Sequence, residues 1–237
     1  MSVDLTVGGR EAVFVAPARS SALDLGSIGL SVVRHEPAHV RLPGKRLFDV
    51  VAAATLLLVV LPTLALAALA IKLSDAGPVL YRQRRVGRGG KTFDMLKLRS
   101  MVVGADRMQV DLTRENCTDG LLFKVKDDPR VTAVGRLMRR LSIDELPQLW
   151  NVVRGDMSLV GPRPLAVEPE DFAPSDRFRH SVPPGITGYW QVSGGNGLSY
   201  DDMIKLDLDY IQRWSFWLDL RLLVATIPAL LDRRRVC

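Results

Sequence analysis

The stretch Val50–Ile71 reads VVAAATLLLVVLPTLALAALAI, twenty-two residues without a charge, bounded by Asp49 and Lys72. At a helical rise of about 1.5 Å per residue it extends roughly 33 Å, enough to cross the hydrocarbon core of a bilayer. Pro62 falls near its middle, where a proline removes a backbone hydrogen bond and kinks a helix. Basic residues flank the segment on both sides: Arg34, Arg41, Lys45 and Arg46 before it, Lys72, Arg82, Arg84, Arg85, Arg88 and Lys91 after it. Lys and Arg mark the cytoplasmic side of a membrane. Positive charge at both ends therefore favours a re-entrant helix, bent at Pro62 and leaving by the face it entered, over a kinked helix that spans.

The rest of the chain fits that setting. Its 237 residues bring the length of one catalytic domain with a short extension, and a net charge of +6 accompanies 47% hydrophobic residues. Basic charge alone suits nucleic acid, phospholipid headgroups or nucleotides equally. The apolar content selects a membrane surface, and no nucleic-acid-binding motif occurs. The only cysteines are Cys117 and Cys237, which excludes a disulfide framework or a cysteine zinc site. No secretory signal is expected in the first thirty residues, and Cys237 is not in a prenylation motif. Residues 1–42, with scattered Gly, Pro, Ser and charges, read as a mobile extension. Residues 43–75 form the membrane helix, and 76–237 a domain with interfacial helices.

Past Lys72, Asp75–Pro78 is a turn, Val79–Tyr81 a short strand candidate, and Val86–Gly90 a second turn before Thr92–Leu98. Between Val131 and Leu141, the apolar residues Val131, Val134, Leu137, Met138 and Leu141 fall at helical spacing, with Arg136, Arg139 and Arg140 around the rest of the circumference. Such a helix can lie on an anionic membrane. Trp214–Leu231 is apolar but carries Asp219 and Arg221. It reads as a second interfacial element, with core packing as the alternative.

Leu141–Asn151 reads LSIDELPQLWN and opens a helix whose apolar face includes Leu146, Leu149, Trp150 and Val153. Ser142 and Glu145 match a capping box, and acids in a first turn suit the helix dipole. By spacing alone, capping outweighs catalysis for Asp144 and Glu145. The neighbouring charge shifts that balance: Lys97, Arg99, Arg130, Arg136, Arg139, Arg140, Arg154 and Arg163 exceed what one carboxylate pair needs. Phosphate groups use such cations, above all the planar fork of Arg. Two prolines, Pro162 and Pro164, hold Arg163 in a preorganised loop. Pro183–Gly188 and Gln191–Asn196 form another Gly/Pro-rich stretch, and His35, His39 and His180 have no metal-ligand spacing.

Taken in order, Lys45–Asp49, the segment with Pro62, Gln83–Gly87, Lys97–Met101, Asp127–Arg130, Leu141–Asn151, Gly155–Pro164 and Pro184–Asn196 resemble the bacterial sugar transferase family, the monotopic phosphoglycosyltransferases. The resemblance covers about Pro43 to Leu231. It implies a mainly α fold with minor β (α+β), a re-entrant membrane helix and a catalytic domain facing the cytoplasm at the bacterial inner membrane. It also implies transfer of a hexose-1-phosphate from a UDP-sugar to a polyprenyl phosphate such as undecaprenyl phosphate, with release of UMP. Asp144 would attack the nucleotide-sugar, Glu145 assist, and both bind Mg2+. Arg139 and Arg163 are expected to hold phosphates, with Lys97, Arg99 and Pro164 in the same substrate site. Two departures are visible: Leu61 stands where relatives often carry Ser, and Gly195 where they commonly carry Arg. A membrane scaffold whose acids merely cap a helix is the non-enzymatic alternative, and assembly of several copies is compatible with the sequence.

Overall fold

The computed structural model describes residues 43–109, 121, 125, 127–193 and 198–231. The extension read over residues 1–42, both cysteines, Gly195 and the charges after Leu231 lie outside the described residues. The elements are mostly helical, with two small sheets.

Helix α1, Pro43–Ser74, runs through Pro62. Among the described residues it is the one helix long and apolar enough to cross a membrane. Its inner face is a helical series, Asp49, Ala53, Ala67 and Ile71 being buried, with Leu57, Val60 and Leu64 half-buried between them. Both ends rest on the same domain. At the start, Arg46 donates from Nη1 and Nη2 to the carbonyls of Val152 and Val153 at 2.6 and 2.9 Å, and Lys45 Nζ reaches Asp219 at 2.5 Å. Asp49 accepts from Ser158 Oγ at 2.7 Å. Past the other end, Asp75 pairs with Arg99, whose Nε also donates to the Pro78 carbonyl at 2.6 Å.

The outer face of α1 is left open, with Leu58 at 73%, Leu66 at 69% and Leu73 at 79% exposure. Removing a side chain of this size from water stabilises by about 1.5–3 kcal/mol. A contiguous apolar face this large marks contact with a membrane or another molecule.

Strands β1, Leu80–Val86, and β2, Thr92–Leu98, form an antiparallel hairpin from Leu80↔Leu98 to Val86↔Thr92. The strand read at Val79–Tyr81 is thus longer, because β2 supplies a partner along its whole length. Alternation turns Tyr81, Gln83 and Arg85 inward, and Arg82 and Arg84 outward. Helix α2, Ala133–Arg140, is capped by Thr132, whose hydroxyl accepts from the Gly135 N–H at 2.9 Å. Its apolar residues do not share one face as read: Met138 is buried with Ala67, Ile71 and Leu98, whereas Leu137 and Leu141 are exposed.

Helix α3, Gln148–Arg154, starts after the acids, past Pro147. Trp150, read as part of its apolar face, is instead 48% exposed, because Leu149 and Val152 occupy the side against α1. Asn151, fully buried, accepts from the Leu96 N–H at 2.9 Å and donates to the Asp94 carbonyl at 2.8 Å, joining α3 to β2. Strands β3, Ser158–Val160, and β4, Gly185–Thr187, pair in parallel where only loops were read. A side chain on Gly185 would strike the Gly161 backbone, so the two chains approach here only as glycines. Helices α4, Tyr189–Val192, α5, Tyr200–Arg213, and α6, Phe216–Leu231, complete the fold. Asp219 on α6 is buried, accepting from Tyr210 and Trp214 as well as Lys45, while Trp217, Val224 and Ile227 are exposed. The segment thus packs into the core through one side and leaves an apolar side open.

Candidate active site

Asp144 and Glu145 lie on a single 3-10 turn, Ile143–Glu145, between α2 and α3. The capping box read for Ser142 and Glu145 is absent. A capping serine needs extended backbone, and Ser142 is left-handed at φ 54° and ψ 22°, with no side-chain cap bond. This conformation is sparsely populated for a residue with a Cβ and is typical of functional turns. It reverses the chain so that Ile143 packs against α1 and β2 while Asp144 is buried behind it.

The Glu145 carboxylate turns away from the helix to two cations. Lys97 Nζ, near the end of β2, donates to Oε1 at 2.8 Å, and Arg163 Nη2 lies 3.4 Å from the same oxygen. Burial would raise the Glu145 pKa, but Lys97 and Arg163 overcome it and hold the carboxyl well below its usual range. Asp144 is shifted the other way. Burial raises it, Lys97 counters, the charge of Glu145 raises it further, and Arg139 again counters. Adjacent carboxyls pushed apart in this way are suited to different roles. Arg139 is fixed by its Nε, which donates to Ser100 Oγ at 2.8 Å.

Arg163 stands on a firmly held loop. Its own carbonyl accepts from Arg179 at 2.7 Å, and that arginine is paired in the interior with Asp207. The buried Pro164 offers its carbonyl to Arg85 at 3.0 Å. Backbone bonds from Gly161 to Thr187 and from Gly185 to Pro162 tie the loop to β4. The guanidinium lies 5.4 Å from the Trp190 ring, a cation–π contact that fixes its direction.

Of the cations read as phosphate partners, Lys97, Arg139 and Arg163 surround the carboxylate pair. Arg99 and Arg130 are held by Asp75 and Asp128, and Arg154 lies 3.3 Å from Asp156. Arg136, Arg139 and Arg140 are all exposed, and of these Arg139 is held by Ser100. Three participants escaped the sequence reading: Arg85, Trp190 and the Arg179–Asp207 pair. Strand alternation, which turns position 85 inward, was the available signal for the first. His180 is neutral, its pKa pushed down to about 4 by burial and by Arg179 and Arg177, and it meets Phe172 edge-on at 4.6 Å.

Among the described residues no three His, Cys, Asp or Glu side chains gather as a metal cluster. Mg2+ takes one or two carboxylates with phosphate oxygens and water. Asp144 and Glu145 beside three cations fit such a substrate-completed site.

The pattern of the family described as bacterial sugar transferase matches residues 40–233. The chain is 47% identical over 196 residues to a UDP-glucose:undecaprenyl-phosphate glucose-1-phosphate transferase of Caulobacter vibrioides, covering 79% of this chain and 69% of that one. It is 42% identical over 190 residues to the exopolysaccharide production protein ExoY of Sinorhizobium fredii, covering 78% and 84%. It is 47% identical over 159 residues to the galactosyl transferase CpsE of Streptococcus agalactiae, covering 66% of this chain and 35% of CpsE. It spans 40% of a UDP-galactose-lipid carrier transferase of Erwinia amylovora.

Proposed function

The chain belongs to the bacterial sugar transferase family, and on that premise we propose that it transfers a hexose-1-phosphate from a UDP-sugar to a polyprenyl phosphate such as undecaprenyl phosphate, the first step in assembling a glycan on a lipid. The observation that carries the reading is the pairing of a buried Asp144 with an ionised Glu145 inside a ring of Lys97, Arg139 and Arg163. The chemistry centres on a diphosphate, whose reaction depends on positioning a nucleophile and stabilising a leaving phosphate.

In the proposed sequence, an Asp144 carboxylate oxygen attacks the sugar-bearing phosphorus. The bridging P–O bond breaks, its electron pair leaves with UMP, and an acyl phosphate joins Asp144 to the sugar-1-phosphate. An oxygen of the lipid phosphate then attacks that phosphorus, releasing the carboxylate and forming the lipid diphosphate sugar. Glu145 stays anionic throughout, holding Lys97 and Arg163 in place. Arg163 neutralises phosphate charge from its stacked position on Trp190. Asp144 and Glu145 would hold Mg2+, which when bound withdraws charge from the phosphate oxygens.

The lipid substrate keeps its phosphate at headgroup level, so the site has to sit there too. The open apolar face of α1 and the exposed Trp217, Val224 and Ile227 of α6 support a domain seated on one membrane face. The anchoring of both ends of α1 to one domain supports entry and exit by the same face. The basic flanks support a cytoplasmic position for that face.

The test combines purified chain, Mg2+ and a panel of UDP-sugars labelled on the sugar-bearing phosphate, read as UMP release and as label retained on protein without lipid acceptor. Label should appear on the parent and vanish with Asp144→Asn. Turnover without label would replace the two-step scheme by direct attack of the lipid phosphate. No UMP from any sugar would leave a scaffold, and normal turnover by Asp144→Asn would remove Asp144 as nucleophile.

A further inference from the structure

Arg85 is an inward-facing residue of β1 whose Nε is buried and without a hydrogen-bond partner among the described residues. Its Nη1 donates to the Pro164 carbonyl at 3.0 Å and its Nη2 to Gln83 Oε1 at 2.6 Å. A guanidinium has five donors, so most of this one's capacity is unused. Among the described residues no carboxylate lies within ion-pair distance of it. The three most deeply buried arginines each have one: Arg99 has Asp75, Arg130 has Asp128, and Arg179 has Asp207.

A charge partly withdrawn from water without a counterion is unfavourable. Burial, and next the repulsion of Arg163, push the Arg85 pKa down to about 10, with Glu145 acting in the opposite direction. Glu145 pairs with Lys97 and Arg163 and makes no ion pair with Arg85. With Arg85 included, four cations face two carboxylates. The balance is restored if an anion arrives from outside, and a diphosphate is the anion a guanidinium fork matches.

We propose that Arg85 is a further phosphate-binding residue, which uses its remaining donors to take an oxygen of the bound diphosphate beside Arg163. The identity of that diphosphate as part of a nucleotide-sugar rests on the reading above, whereas the anion site stands on the unneutralised guanidinium. Arg85 and Arg163 then grip the substrate from two elements, the hairpin and the proline loop. The Pro164 carbonyl holds them at a set separation.

Thermal shift of the full chain in detergent micelles, with inorganic pyrophosphate against a sodium chloride series of equal ionic strength, tests the site without requiring turnover. The parent should be stabilised by pyrophosphate beyond the salt control. Arg85→Gln should keep the ligand-free melting temperature within about 2 °C and bind at least about tenfold more weakly. Arg85→Lys keeps the charge and one donor for Pro164 and guards against a folding defect. It should also lose about tenfold, because an ammonium makes only a point contact. In an Arg163→Gln background, Arg85→Gln should weaken binding again by a similar factor, since each residue holds its own oxygen. The proposal is overturned if the parent shows no shift beyond salt, if either Arg85 variant binds within twofold of the parent, or if Arg85→Gln is silent in the Arg163→Gln background. That last result would make Arg85 a strut for the loop. A pyrophosphate shift in a chain that releases no UMP from any UDP-sugar would instead sink the transferase reading and leave the anion site in place.

Discussion

Replacing Gly135 by alanine offers a sharp test of how α2 positions the carboxylate turn. On an exposed helix the change stabilises by about 0.8–1 kcal/mol, because glycine is the poorer helix former. Here a Cβ would lie 2.6 Å from the Ser100 carbonyl carbon, and closer still to its oxygen. Carbon atoms rest about 3.5–4.0 Å apart, so α2 has to withdraw by about 1 Å. The obstacle is backbone and cannot rotate away, which places the penalty at the upper end of the roughly 1–3 kcal/mol seen for overpacking. The net loss of about 2 kcal/mol corresponds to a fall in melting temperature of roughly 4–8 °C for a domain of this size. The same withdrawal stretches the Arg139–Ser100 bond and drags the turn that follows α2. A displacement of about 1 Å at a reacting group costs on the order of 100-fold in rate. UMP release and thermal melting in the same detergent measure both effects, with Gly44→Ala as a control, since a Cβ there meets nothing within 4 Å. If Gly135→Ala melts and turns over like the parent, α2 does not position the site through this contact.

Lys45→Met leaves the buried Asp219 without its cation and should destabilise by about 3–5 kcal/mol, read as a lower melting temperature in detergent. Restoration by adding Asp219→Asn would tie the loss to that pair. Trp190→Leu removes the surface on which Arg163 rests and should raise KM for the UDP-sugar up to about tenfold, whereas Trp190→Phe keeps most of the affinity. Because the His180 pKa is lowered to about 4 from 6.5 in the folded chain, the unfolded chain binds the extra proton between these values. Stability is therefore full above pH 6.5 and falls as the pH drops towards 4. His180→Phe should flatten that part of the melting-temperature profile, and an unchanged slope would place the acid sensitivity elsewhere.

The parts of the fold legible in the sequence are those set by local composition. The charge-free run of α1, the turn at Val86–Gly90 and the end of α3 before Gly155 all follow from residue type and spacing. The parallel pair β3–β4 was invisible because each strand has only three residues and their closeness depends on two glycines distant in sequence. The acids at 144 and 145 matched a helix cap in pattern, but only the left-handed backbone at Ser142 decides where their side chains go. The surplus of arginines was legible as a sum. Its division was not, since Asp75, Asp128 and Asp207 claim Arg99, Arg130 and Arg179 through folding, and only the remainder is available to a ligand.

Ile143 touches the same cluster as Ala67 and Ile71 of α1, so the residue next to Asp144 sits directly on the apolar helix. On the proposed function, the depth of that helix in lipid and the height of the Asp144 carboxylate above it are then one rigid measurement. A protein hung from a spanning helix is tuned by bilayer thickness. With α1 re-entrant, as proposed above, turnover should be indifferent to acyl-chain length and respond instead to whatever moves the headgroup plane, such as its charge and packing.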